Sequence, residues 1–386
     1  MPSLGDFTVD RNNTKYVLGS SGTLVAVPAD EPAFEFNPDG SYKGLLVEPA
    51  ATNLATYSDD FNSVGWSLLD GNSQVTSDAA VSPDGTTNAD KLEASNTSSV
   101  QKILRKTYSS SGENTFSIYA KAAELSYLHI DFSDIRSAIF DITAGSGSVV
   151  SSTGSTYASI EDVGNGWYRC IVTTTLNSTF IDVQLYNGTT ITFSASIGDG
   201  VYIWGAQLEA GPIATSYIPT SGSTVQRVKD DINLSPAASL IGQNEGTLYV
   251  EVDWRLATGK TQFICRIDSS VDGGVLAYVR ADANYNVIRF QLQEDSGVAR
   301  VIDTGESSDI TGIQKIAFAY ASADSKFAIN GTTYTPSTNN AFAFTETLDR
   351  IFFNSGNQTN QPNMWIRAVA LYKTRLTNDQ LADLTS

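Results

Sequence analysis

The chain has 386 residues, of which 17% are charged and 10% aromatic, and its formal net charge is −18. So acidic a surface repels phosphate backbones and anionic bilayers, which argues against nucleic-acid binding and membrane insertion. Gly, Tyr and Phe set among Ser, Thr, Asn and Asp predict many short strands joined by turns, and the length allows two domains with a core each.

Residues 1–56 do not read as a domain. FTVDRNN, TKYVLG and TLVAVPAD are short β-like pieces broken by Asn12-Asn13, Gly19-Ser20-Ser21-Gly22 and Pro28, with FEFNPDGSYKGLLVEP and ATNL after them. A segment this short and interrupted cannot enclose a core of its own. It is expected to pack as an extended N-terminal arm on the following domain or on a neighbouring subunit. MPSLGDFTVDRNNTK shows no basic patch followed by an apolar run, so it does not read as a signal peptide. Nothing in the chain approaches about 18 continuous apolar residues, the length a spanning helix needs.

Residues 57–228 predict the first domain, opened by Asp60, Phe61 and Trp66. A turn at Pro83-Asp84-Gly85 leads into a strand through Ala89 and Leu92. NTFSIYAKA alternates Phe116, Ile118 and Ala120 against Ser117, Tyr119 and Lys121. SYLHIDFSD alternates Leu128, Ile130 and Phe132 against Tyr127, His129 and Asp131. A tight turn at Gly164-Asn165-Gly166 precedes WYRCIVTTT, and IDVQLYNG follows it. In the last strand Tyr202 and Trp204 lie on one side and Val201 and Ile203 on the other, before Pro212 and Pro219 end the pairing. Strands at roughly ten-residue intervals predict an antiparallel sandwich or jelly roll.

Residues 229–386 predict a second one. GTLYVEVDWRL, QFICRID, VLAYVRAD, VIRFQLQ, QKIAFAYAS, SKFAING, RIFFNS and MWIRAVALYKT read as strands, and INLSPAASLIG holds one helical turn. The turns are Asp272-Gly273-Gly274, Asn330-Gly331 and Ser355-Gly356-Asn357. In RLTNDQLADLTS, Thr377 caps a short helix whose Leu381 and Leu384 share a face, with Asp379 near the positive end. The fold class is therefore all-β: two antiparallel β-sandwich (jelly-roll) domains in tandem, with an extended arm at 1–56 and a short C-terminal helix.

Cys170 and Cys265 lie on either side of the domain boundary and read as two buried thiols. One histidine and no paired cysteines leave no zinc pattern. Tyr119, Tyr127, His129 and Asp131, on strands expected to be neighbours, form a candidate glycan face, because a pyranose pairs apolar faces with hydroxyl edges. The same residues also suit the second buried layer of a sandwich. Trp66, Trp167 and Trp204 each adjoin a glycine or a turn and are expected to pack corners. The turns at Asp70-Gly71-Asn72, Asp199-Gly200 and Asp268 with Asp272 offer oxygens for a structural Ca²⁺, though Asp-Gly is also ordinary turn chemistry. No other cofactor is expected. A lone His129 removes most catalytic triads, and G-x-S-x-G, H-E-x-x-H and phosphate-loop motifs are missing, so the chain does not read as an enzyme.

Several strings carry a resemblance. GLLVEPAATNL at 44–54, SPDGTTNADKL at 82–92, SIYAKA at 117–122, EDVGNGWYRC at 161–170 and WGAQLEAG with TSYIPT at 204–220 resemble tailed-bacteriophage structural proteins. These are tail, tail-fibre or head-fibre proteins with a carbohydrate-binding-module-like jelly roll. GTLYVEVDW and IRAVALYKTRLTNDQLADL resemble the edges of concanavalin A-like or laminin-G-like domains. The resemblance implies a virion protein, in a tail fibre or decorating the capsid, assembled in the host cytoplasm and attaching to host-surface glycans. It implies other virion proteins as partners, a homo-oligomer (trimer or dimer), possible contact with host polysaccharide, and no catalytic residues. Two further classes stay open: a dedicated glycan-binding receptor-binding adhesin and a polysaccharide depolymerase.

Overall fold

A computed structural model describes residues 4–386 apart from 70, 110–111, 134, 155, 176, 255–260, 272–275, 283–286, 295–298, 303–305, 308–311 and 354–361. The turns expected at 272–274 and 355–357 therefore lie outside the described residues, as do Asp70 and Asp272. The protein is all-β, built from antiparallel sheets with one short helix near the C-terminus, Asn378–Thr385.

Among the described residues, the first sandwich has two sheets of six strands each. One runs, in spatial order, Ser148–Ser152, Arg136–Asp141, Tyr127–Phe132, Phe180–Tyr186, Ile103–Thr107 and Ser67–Leu68. The other runs Thr156–Asp162, Trp167–Thr174, Asn114–Ala122, Gly200–Ala210, Ala89–Ala94 and Ser73–Ala80. Period-two alternation sends one face of each strand inward. Phe116, Ile118, Leu128, Ile130, Phe140 and Val183 are among the residues that meet in the shared core.

The strand Gly200–Ala210 shows how this alternation is redirected. Val201 and Ile203 enter the core and Tyr202 and Trp204 face the other way, as the sequence predicts. At Gly205 the backbone has φ +61°, the pairing with Asn114–Ala122 slips, and Ala206 and Leu208 then take the core positions. A bulge of this kind needs glycine because other residues resist positive φ. Here a Cβ would also lie 2.8 Å from the Tyr119 ring.

Among the described residues, the second sandwich faces a seven-stranded sheet against a nine-stranded one. Leu248, Val250, Ile316, Phe318, Phe290 and Ile351 are among its core residues. The residues before the first sandwich complete both sheets. Thr8–Asp10 pairs with Asp231–Leu234 in the larger sheet. Tyr42–Val47 pairs with Met364–Tyr372 in the smaller one, and Phe34–Phe36 pairs with Tyr42–Val47 beyond it. The hairpin of Lys15–Leu18 and Leu24–Val27 instead lies on the first sandwich, where Leu18 and Leu24 pack with Tyr119, Trp167, Trp204 and Tyr217. Ala51–Asn53 and Val225–Arg227 form a two-stranded ladder of their own.

The predicted Gly164-Asn165-Gly166 turn anchors this hairpin. All three residues have positive φ, and the Asn165 side-chain amide donates to the Gly22 carbonyl at 2.9 Å. The C-terminal helix begins as its sequence predicts. Thr377 Oγ1 accepts from the Gln380 backbone N–H, and the Gln380 side chain returns the bond to the Thr377 N–H. Leu381 enters a trough floored by Ala317, Ala319 and Ala328, whose small side chains let the helix approach the sheet.

Five buried charges tie the arm to the passage between the sandwiches. Arg11, Lys15 and Glu48 come from the arm, Arg227 and Asp230 from the passage, and each is at most 2% exposed. Asp230 accepts from Arg11 Nη1 at 3.0 Å and from Lys15 Nζ at 2.5 Å. Glu48 pairs with Lys15 at 3.1 Å and with Arg227 at 3.0 Å, and Ser216 donates to it from both N–H and Oγ. Burial pushes the Glu48 carboxyl upward, but Arg227, Lys15 and Ser216 outweigh it and hold it well below the ordinary carboxylate range.

Candidate functional site

Of the four side chains proposed from the sequence, three share one surface. Leu128, Ile130 and Phe132 fill the core, so Tyr127, His129 and Asp131 on the same strand point out of the sandwich. Tyr119 does not join them. It lies in the opposite sheet, 3% exposed, packed against Trp204 and Tyr217 beneath the arm hairpin. The alternation was the same in both strands, but successive strands went to opposite sheets.

The neighbouring strand Phe180–Tyr186 adds what the sequence reading missed. Its register sets Tyr186 beside Tyr127, Gln184 beside His129 and Asp182 beside Asp131. The Tyr127 and Tyr186 rings meet edge to face with centroids 6.1 Å apart. Next across the sheet, Arg105 takes Asp182 in a bidentate pair, both contacts at 2.6 Å, and lies 3.5 Å over the Phe180 ring. A signal for these residues existed in IDVQLYNG, where Asp182, Gln184 and Tyr186 alternate with apolar residues. Its pairing with 127–132 did not.

His129 is 7% and Asp131 8% exposed, so the row lies in a shielded part of the face, while Tyr127 and Tyr186 are half-buried. Burial lowers the His129 pKa, with Gln184 opposing, so the imidazole is neutral at pH 7. His129 Nδ1 and Gln184 Oε1 are both shielded from solvent, and the side chains stand next to each other across the two strands. A neutral imidazole and an amide both offer one donor and one acceptor edge. With the tyrosine pair at one end and the Arg105–Asp182 fork at the other, this row can meet hydroxyl groups and an apolar ring face together.

The remaining candidates have other duties. Trp66 packs against Phe61 in the core, and Trp167 and Trp204 lie buried under the arm. Asp268 is held by Arg350 at 2.9 Å, and Asp199 accepts from the Ser196 N–H in its own turn. Among the described residues, no three His, Cys, Asp or Glu side chains gather as metal ligands. Cys170 and Cys265 are separate buried thiols, both pushed upward in pKa by burial.

No protein-family model matches the chain, and no curated protein sequence does. Solved structures match parts of the chain at low identity. The native heptameric SAP-like pentraxin of Limulus polyphemus is 12% identical, covering 38% of this chain and 72% of its own, with a TM-score of 0.31. The CBM40 of Ruminococcus gnavus IT-sialidase, solved with α2,3-sialyllactose, is 16% identical, covering 39% and 87%, with a TM-score of 0.31. Trypanosoma rangeli sialidase is 9% identical over 76% of this chain and 60% of its own, with a TM-score of 0.31.

Proposed function

We propose that this chain is a bacteriophage virion protein, in a tail fibre or on the capsid, that attaches to glycans of the host surface by binding them. The observation that carries the binding role is the outward row of Tyr127, His129 and Asp131 with Tyr186, Gln184 and Asp182. It places two half-buried aromatic rings beside the imidazole and amide of the His129–Gln184 pair. A sugar hydroxyl matches such a pair because it donates and accepts at once. The virion setting rests on the sequence resemblance quoted above. In that setting the chain assembles with other virion proteins, as a trimer or dimer that follows the particle's rotational symmetry.

The test is binding of purified host-surface polysaccharide by isothermal titration, with Tyr127→Ala and Tyr186→Ala as variants. Half-buried tyrosines at the rim of a face can be truncated without opening the core. The expected loss is roughly tenfold in affinity for each, about 1.4 kcal/mol. Full binding by both variants would refute the face. Absence of the protein from purified particles by mass spectrometry would refute the virion setting.

A further inference from the structure

A cleft of about 250 Å³ lies where the arm, the first sandwich and the second sandwich meet. Its walls include Phe36 and Lys43 of the arm, Tyr119, Glu161 and Arg169 of the first sandwich, and Trp365 of the second. None of these belongs to the outward row of Tyr127, His129 and Asp131, which lies on the other sheet.

The walls mix aromatic surface with polar groups of both signs. Lys43 Nζ sits 3.8 Å over the Trp365 ring, and Trp365 Nε1 donates to Glu35 at 2.5 Å. Arg169 lies between Glu161 and Tyr119 in the cross-strand register. It is 3% exposed; its Nη2 donates to Ser117 Oγ at 2.9 Å, and its Nε makes no hydrogen bond. A buried charged donor left without an acceptor is costly, and such groups are rare unless something fills the space beside them. Glu48 also reaches the cleft, but its oxygens are already engaged by Lys15, Arg227 and Ser216.

Size narrows the occupant. A cavity of about 150 Å³ takes a benzene ring, so this one holds a six-membered ring together with its substituents. Chemistry narrows it further. A purely apolar ring would leave the Arg169 Nε donor without an acceptor, whereas a ring bearing hydroxyls supplies one.

We propose that this cleft is a second binding site, for a single uncharged sugar ring, and that all three parts of the chain contribute to it. The ring sits beside Lys43 and Arg169, which lie over the Trp365 and Tyr119 rings, accepts from both cations, and donates to Glu35 and Glu161. This site does not depend on the surface described above.

The experiment uses the full chain and the methyl glycosides of glucose, galactose, mannose and N-acetylglucosamine at about 10 mM, suited to a millimolar site. Binding is read by saturation-transfer NMR and by the change in tryptophan emission. At least one glycoside is expected to bind. Lys43→Ala and Glu161→Gln, both at part-exposed positions, are each expected to weaken it roughly tenfold. Trp365→Phe removes the emission change, and Tyr127→Ala leaves the affinity as it was. Silence from all four glycosides in the folded protein overturns the proposal. So does binding that survives Lys43→Ala and Glu161→Gln but is lost in Tyr127→Ala.

Discussion

Replacing Asp230 by alanine tests whether the buried charges hold the two sandwiches and the arm together. In the intact protein three cations, Arg11, Lys15 and Arg227, face two carboxylates, Glu48 and Asp230. Asp230 accepts from Arg11 at 3.0 Å, from Lys15 at 2.5 Å and from the Glu48 backbone N–H at 2.7 Å. Alanine leaves three buried cations facing Glu48 alone. Removing one partner from a buried ion pair costs about 3–5 kcal/mol, since the other charge cannot return to water. At about 2–4 °C per kcal/mol, the melting temperature should fall by roughly 6–20 °C. Scanning calorimetry at pH 7 measures this, with Asp10→Ala, an exposed carboxylate on the same arm, as the control. A variant melting within about 2 °C of the parent would refute the reasoning. The same network sets an acid limit. Glu48 titrates below its ordinary 4.5 in the folded chain, so its contribution is complete above that pH and is lost as pH falls towards the folded value.

Asp90 works in the opposite direction: burial pushes it up to about 6, against the Phe61 and Asp78 backbone N–H groups that hold it down. Its contribution is complete below its ordinary 3.8 and is lost as pH rises through about 6, so Asp90→Asn should flatten that part of the stability curve; parallel melting curves from pH 4 to 7 would contradict this. Gly164→Ala forces a Cβ to 2.9 Å from the Gly22 carbonyl at φ +85° and should cost about 1–3 kcal/mol by urea unfolding. Leu381→Ala empties the alanine-floored trough, where Leu381 is fully buried, and should cost about 2–5 kcal/mol, with faster hydrogen exchange through 378–385.

What could be read from the sequence was local. The Thr377 cap, the Gly164-Asn165-Gly166 turn and the two faces of 201–204 depend on neighbouring residues, and each appears as expected. The phase change at Gly205 was hidden, because a bulge leaves the apolar composition of its strand intact. Strand partners were hidden for another reason. Nothing in KGLLVEP announces that Leu45 pairs with Ile366. Arg11 and Lys15 stand in polar stretches of the sequence, and only their acidic partners at residues 230 and 48 make their burial tolerable. The outward row was half legible: one strand's alternation gave Tyr127, His129 and Asp131, but register alone supplied Tyr186, Gln184 and Asp182.

The short ladder of Ala51–Asn53 with Val225–Arg227 has a consequence for how the chain can be cut and rejoined. Asn53 and Val225 stand opposite each other on one rung. Everything between them is an excursion that departs and comes home at the same spot. A two-residue hairpin turn is enough to close such a rung. The first sandwich is thus a head inserted at one rung of a paired stem, its two ends side by side, and the hairpin of Lys15–Leu18 and Leu24–Val27 grips it from the arm as a second hold.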